Sequence, residues 1–253
     1  GEAYFLDFPL FTTRDIARSF DQLRQHLGID KISLLAGASL GGQIAMEWAI
    51  LQPAVFDNLV LIATNARHSP WGIAFNESQR LAIEADNTFG EKLENAGAKG
   101  LKAARSIAML SYRTATGYNE SQQQADHPLD QFNASSYQRY QGDKLVNRFD
   151  AYSYYALTRT MDSHNVARSR ESLSSALQTI EAYTLVIGIT TDLLFPTTEQ
   201  KQLATHIPNA RYAEIHSELG HDGFLTEAAK VGHHIKTVLN RKNRKTKRFP
   251  LAV

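Results

Sequence analysis

The sequence contains no cysteine, which excludes disulfide bridges, thiolate metal ligands and a cysteine nucleophile together. It has no apolar run approaching the roughly 18 residues that a membrane span requires, and it opens without a basic-then-apolar leader. Neither export nor membrane insertion is expected, and a cytoplasmic location is the expectation. A strong bias of charge is also lacking, since the formal net charge is +1. Arg241, Lys242, Arg244, Lys245, Lys247 and Arg248 gather positive charge at the end, so everything before them is mildly acidic. That pattern excludes a nucleic-acid-binding body and makes 241–253 an expected solvated, disordered tail. No internal repeat is present, and 253 residues with 43% hydrophobic content suffice for a full core.

What is present centres on Lys31 to Trp48, KISLLAGASLGGQIAMEW, where an apolar run stops at a glycine-flanked serine and a helical pattern begins at once. Gly37-Ala38-Ser39-Leu40-Gly41 fits Gly-x-Ser-x-Gly, the strand-turn-helix elbow in which the serine oxygen is exposed on a strained turn. Ser39 is therefore the candidate nucleophile. The helix that follows aims its N-terminal amides and positive dipole end at the turn, where an oxyanion would form.

Around this stretch the chain alternates helices and buried strands. Thr13 is expected to cap a helix carrying Ile16, Phe20, Leu23 and Leu27 on its apolar face, ended by Gly28. Ile32 to Ala36 and Asn58 to Thr64 read as strands, and Tyr183 to Thr190 and Ala210 to His216 resume the pattern, with helices at Thr197 to His206 and Thr226 to Leu239. Continuous apolar strands flanked by helices imply a parallel sheet covered on both faces. Between them, helical spacing over Ser78 to Ala85, Glu91 to Met109, Leu145 to Met161 and Val166 to Leu177, with a polar irregular stretch at Ser121 to Tyr140, implies an inserted helical cap. The expected fold is α/β, with a core of 1–66 and 179–240 and a cap of 67–178.

A serine nucleophile needs a base, and the base needs an acid to hold its tautomer. In an α/β-hydrolase arrangement these follow in the order Ser, acid, His, each at the carboxyl end of a later strand. Asp192, after the strand YTLVIGIT, and His221, in Leu219-Gly220-His221-Asp222, meet that requirement. His216, at a strand end, is the nearest rival. His26, His206, His233 and His234 fall on expected helices, and His68, His127 and His164 fall in the cap.

These residues carry a resemblance. The chain resembles the homoserine O-acetyltransferase family of α/β-hydrolase-fold enzymes, which also contains homoserine succinyltransferases and serine acyltransferases. The likeness spans Asp7 to Leu239. It rests on Asp7-Phe8-Pro9 with Thr13-Arg14-Asp15, the elbow with Gly42, His68-Ser69-Pro70-Trp71-Gly72-Ile73-Ala74-Phe75-Asn76-Glu77, and Leu110-Ser111-Tyr112-Arg113. Phe149-Asp150-Ala151, Asp192-Leu193-Leu194-Phe195-Pro196 and Gly220-His221-Asp222 continue it. The HSPWGIAFNE segment is not a general hydrolase feature.

The resemblance implies ping-pong transfer of an acetyl or succinyl group from acetyl-CoA or succinyl-CoA to the hydroxyl of L-homoserine, in methionine biosynthesis, with no permanently bound cofactor and no metal. Ser39, Asp192 and His221 would form the triad and the Leu40 amide one oxyanion donor. Arg113 would face the acceptor's carboxylate and Asp222 its amine, chemistry that suits a guanidinium fork and an aspartate. A homodimer through the cap is the family habit. The second oxyanion donor comes from a loop upstream of the elbow, whereas only a short extended piece and one helix precede Lys31 here. The chain is thus expected to be a fragment without the first strands, and an esterase or an inactive interaction module are the alternative readings.

Overall fold

A computed structural model describes residues 2–125 and 129–245, with side chains described as far as Arg241. In chain order the elements outside the helical insertion begin with α1 (Thr13–His26), β1 (Leu35–Ala38), α2 (Leu40–Leu51) and β2 (Asn58–Ile62). The insertion follows as α3 (Pro70–Glu84), α4 (Ala98–Tyr112), α5 (Ala115–Ser121), α6 (Asn133–Val146), α7 (Ala151–Asp162) and α8 (Leu173–Gln178). The chain then returns through β3 (Tyr183–Ile189), α9 (Thr197–His206), β4 (Ala210–Ile215), the short α10 (Gly223–Thr226) and α11 (Ala228–Lys245).

The four strands form one parallel sheet in the order β1-β2-β3-β4, with Gly37 beside Leu61, Leu61 beside Val186 and Ile187 beside Ala213. Successive side chains of a strand point to opposite faces, so a run buried at every position needs cover on both. β2 shows this. Leu59 and Leu61 pack with Met46 of α2 and Leu203 of α9, while Val60 and Ile62 join Ile187 and Ile189 against Val231 and Val238 of α11. The insertion has a separate cluster of Ile83, Leu101, Ala104, Leu145 and Ala151.

Several expectations shift. β1 begins at Leu35, because Ile32 pairs with Phe56 only as an isolated bridge. The cap of α1 is Thr12, which exchanges hydrogen bonds with Asp15, so Thr13 is the first helical residue. The helical period of α1 holds, but the wrong face is buried: Phe20, Leu23 and Leu27 are 45%, 53% and 60% exposed. Asp21 is buried instead, accepting hydrogen bonds from Trp48 Nε1 at 3.1 Å, Gln52 Nε2 at 3.1 Å and Arg24 Nε at 2.7 Å.

In the insertion, the expected Leu145 to Met161 helix is two helices, because Asp150 accepts from the Ser153 amide and starts α7 afresh. The stretch read as irregular contains the start of α6, and only the end of Val166 to Leu177 is helical. At the far end α11 runs on to Lys245, so residues 241–245 of the expected tail are helical, with Arg241 stacked 3.7 Å from the Tyr183 ring centroid. Residues 246–253, and His127 in the insertion, lie outside the described residues.

Candidate active site

The turn between β1 and α2 holds Ser39 at φ 53° and ψ −127°, a conformation that costs a non-glycine residue about 1–3 kcal/mol. The surrounding structure holds it there. The Ser39 carbonyl accepts from the Gly42 amide at 2.9 Å and from Thr64 Oγ1 at 2.8 Å, and its amide donates to the Ile62 carbonyl at 3.0 Å. Gly37 makes the turn possible, since a Cβ there would stand 2.2 Å from the Gly41 carbonyl oxygen. The Leu40 amide opens α2, where an amide has no acceptor within the helix.

Asp192 and His221 come to this serine from the ends of β3 and β4. Ser39 Oγ lies 3.0 Å from His221 Nε2, and His221 Nδ1 lies 2.7 Å from Asp192 Oδ2. A carboxylate can only accept, so Nδ1 carries the proton and Nε2 is left to accept from the serine hydroxyl. The other carboxylate oxygen, Asp192 Oδ1, accepts from the amides of Leu194 at 2.8 Å and Phe195 at 2.9 Å. The turn after β3 thus fixes the acid through its own backbone.

Aromatic rings fix the base. Phe195 stacks on the His221 ring with centroids 5.2 Å apart, Phe224 meets it edge-on at 5.3 Å, and Tyr112 closes a third side at 5.6 Å. Gly220, at φ 63°, lets the histidine loop press against the end of α4, because a Cβ there would lie 3.0 Å from backbone atoms of Tyr112 and Arg113. Arg113 Nη1 and Asp222 Oδ2 are 2.6 Å apart, and Asp222 follows His221 directly. His216, the rival histidine, is exposed and pairs with Glu218 at 2.9 Å.

Sequence reasoning missed a buried polar network behind the elbow. Gln43 Nε2 of α2 donates to Asn65 Oδ1 at 2.9 Å, Asn65 Nδ2 donates to Glu199 Oε2 at 2.9 Å, and His164 bridges Thr13 Oγ1 at 2.8 Å and the Asn65 carbonyl at 3.1 Å. Burial pushes His164 down to about 3 and, with the charge of Asp192, pushes the Glu199 carboxyl up. His68 is buried beside Gln43 and Asn76, and burial holds it below the usual histidine range. Asn76 Nδ2 donates to Asp162 at 2.7 Å and Trp71 Nε1 to the Leu193 carbonyl at 3.0 Å. The HSPWGIAFNE segment therefore joins the insertion to the sheet and to the loop of Asp192. Its ten residues signal this in sequence only by being unusual.

Among the described residues no group of histidines and carboxylates is disposed to hold a metal ion, and no helix is long and apolar enough to cross a membrane. A groove of about 810 Å³ lies between the N-terminal segment and α7, lined by Tyr4, Phe5, Phe8, Phe11 and Tyr152. Ser39 and His221 do not line it.

The model of the alpha/beta hydrolase fold family matches residues 7–228. The homoserine O-acetyltransferase of Cyclobacterium marinum is 46% identical over 237 residues, which cover 94% of this chain and 68% of that protein. That of Chloroherpeton thalassium is 40% identical over 230 residues, covering 90% and 61%. The crystal structure of homoserine O-acetyltransferase from Staphylococcus aureus superposes with a TM-score of 0.78 at 32% identity, covering 92% of this chain and 66% of that one. The chain thus spans about three fifths to two thirds of the length of the curated relatives it matches. Shared identity at this level across nearly all of its residues, on the same strand-turn-helix architecture, makes the chain a member of the homoserine O-acetyltransferase family of the alpha/beta hydrolase fold.

Proposed function

We propose that the protein transfers an acetyl group, or a succinyl group, from its coenzyme A thioester to the hydroxyl of L-homoserine through an acyl-Ser39 intermediate, as a cytoplasmic step of methionine biosynthesis. The observation that carries this reading is the hydrogen-bonded series Ser39, His221, Asp192 with the Arg113–Asp222 pair beside it. A nucleophile with a base suits any acyl transfer. The neighbouring opposite charges favour an acceptor that is itself a zwitterion.

Ser39 Oγ attacks the thioester carbonyl carbon and its proton passes to His221 Nε2. The Leu40 amide donates to the oxyanion, which is stabilised where the positive end of α2 points. The C–S bond breaks, and the departing thiolate takes the proton from Nε2 and leaves as coenzyme A. The hydroxyl of homoserine then gives its proton to the same nitrogen and attacks the acyl-serine carbon, and the proton returns to Ser39 Oγ as the ester leaves. Asp192 keeps the ring oriented and stabilises its cation throughout. Arg113 takes the α-carboxylate of the acceptor and Asp222 the ammonium.

The test is mass detection of the acyl group on the peptide containing Ser39 after mixing with acetyl-CoA or succinyl-CoA, together with coenzyme A release with and without homoserine. An adduct that homoserine discharges is expected, and the donor that forms it names the acyl group. Release at the same rate without homoserine would overturn the transferase reading in favour of hydrolysis.

A further inference from the structure

Carboxylates drawn out of water need a cation or main-chain amides beside them. Glu47 is shared by Arg14 and Arg170, Asp21 is met by Arg24, and Asp162 by Arg80. Asp86 accepts from the amides of Thr88 and Gly100. Glu199 departs from this pattern. It is half-buried in the first turn of α9, and the one hydrogen bond to its carboxylate among the described residues comes from the neutral Asn65 side chain. The helix end offers it only a partial positive charge. Burial and the nearby charge of Asp192 push this carboxyl up, so a full positive charge placed beside it would be stabilising.

Glu199 lines a cavity of about 260 Å³ between the loop after β2, α8 and α9. That is smaller than the roughly 300–1,000 Å³ of clefts that take drug-sized ligands, so an occupant must be small. Leu173, Leu177 and Leu203 supply the apolar part of the lining. Arg67 supplies a charge of the opposite sign to Glu199, and its side chain makes neither an ion pair nor a hydrogen bond among the described residues. Ser69, the N-cap of α3, also lines the cavity, so the positive end of that helix adds to the guanidinium. The cavity is separate from the reaction centre, because Ser39, His221, Arg113 and Asp222 do not line it.

We propose that this cavity is a second ligand site, which takes a free α-amino acid with an aliphatic side chain. The ammonium group of the ligand pairs with Glu199, its carboxylate forks onto Arg67, and its side chain packs against the three leucines. A ligand with one charge alone satisfies only half of the site. An amine leaves Arg67 without a partner, and a carboxylic acid brings a like charge to Glu199. The proposal stands independently of the acyl-transfer reading.

Calorimetric titration of the protein with L-leucine and L-valine tests the site without turnover. Saturable binding of at least one is expected. Isopentylamine, which is leucine without its carboxylate, should bind more weakly, and isocaproate, which is leucine without its amine, more weakly still. Glu199→Gln and Arg67→Gln should each weaken the amino acid about 10- to 100-fold, and Arg67→Gln should leave isopentylamine unaffected. Ser39→Ala should bind as the unmodified protein does.

Saturation by neither amino acid overturns the site, as does isocaproate binding as tightly as leucine. Unchanged affinity in Glu199→Gln also overturns it. A fall in Asp222→Asn equal to that in Glu199→Gln would place the ligand at the reaction centre and overturn it too. If homoserine never accelerates coenzyme A release, the acyl-transfer reading fails while these titrations still decide on the cavity.

Discussion

Asp192 and Asp222 flank the same histidine and are held in opposite ways. The side chain of Asp192 is fully buried, and its oxygens meet two backbone amides and the His221 ring. The side chain of Asp222 is 16% exposed, and the side chain it pairs with, Arg113, is 21% exposed. Main-chain donors in a sealed turn cannot be exchanged without unfolding that turn, and removing their partner strands them. An ion pair within reach of water is worth little by itself, so a ligand bearing both charges can replace each half. One aspartate is thereby suited to holding a proton acceptor still, and the other to trading partners with a substrate.

The largest expected effect breaks the locked side. Asp192→Asn keeps the shape but can turn its amide hydrogens toward Nδ1, favouring the wrong tautomer of His221. Turnover should fall about 10³- to 10⁴-fold while the KM for acceptor changes little. A rise in KM without loss of kcat would erase the contrast between the two aspartates.

Next comes the exchangeable side. Asp222→Asn and Arg113→Lys should each raise the acceptor KM about 10- to 100-fold, and leave acylation of Ser39 by the donor, followed by stopped-flow, nearly untouched. Equal damage to acylation would show that the pair positions His221.

A smaller effect concerns the buried network behind the elbow. His164 has its ordinary value of 6.5 unfolded and about 3 folded, so between those values the unfolded chain binds more protons. Its contribution to stability is complete above about 6.5 and is lost as pH falls toward 3. Melting temperature against pH should therefore slope upward through this window, less steeply in His164→Gln. Glu199 has the reverse sign. Its carboxyl is raised, so its burial costs stability as pH rises from 4.5 through the folded value, and Glu199→Gln should remove that small loss.

The parts legible in sequence were those where one local rule dominates. β2 and β3 announce themselves because burial on both faces demands an unbroken apolar run. Ser39, Asp192 and His221 could be named from an elbow pattern and chain order, which encode which strand ends they occupy. Contacts between distant segments were not legible. Nothing local marks Asp21 as the buried residue of α1, since its partners Trp48 and Gln52 arrive from α2. His68 and His164, set aside as insertion histidines, become interior only when β2 and α7 meet.

The two glycines after Ser39 differ from each other and from the one before it. A Cβ on Gly42 would lie 2.7 Å from the Thr64 side chain, and one on Gly37 would strike the Gly41 carbonyl, whereas one on Gly41 would meet nothing within 4 Å among the described residues. The information in the five-residue signature is therefore unevenly distributed. A saturation library across the elbow should return glycine at positions 37 and 42 and a spread of small residues at 41. A search pattern written as Gly-x-Ser-x-x-Gly would follow the steric constraint of this turn more closely than the familiar spacing.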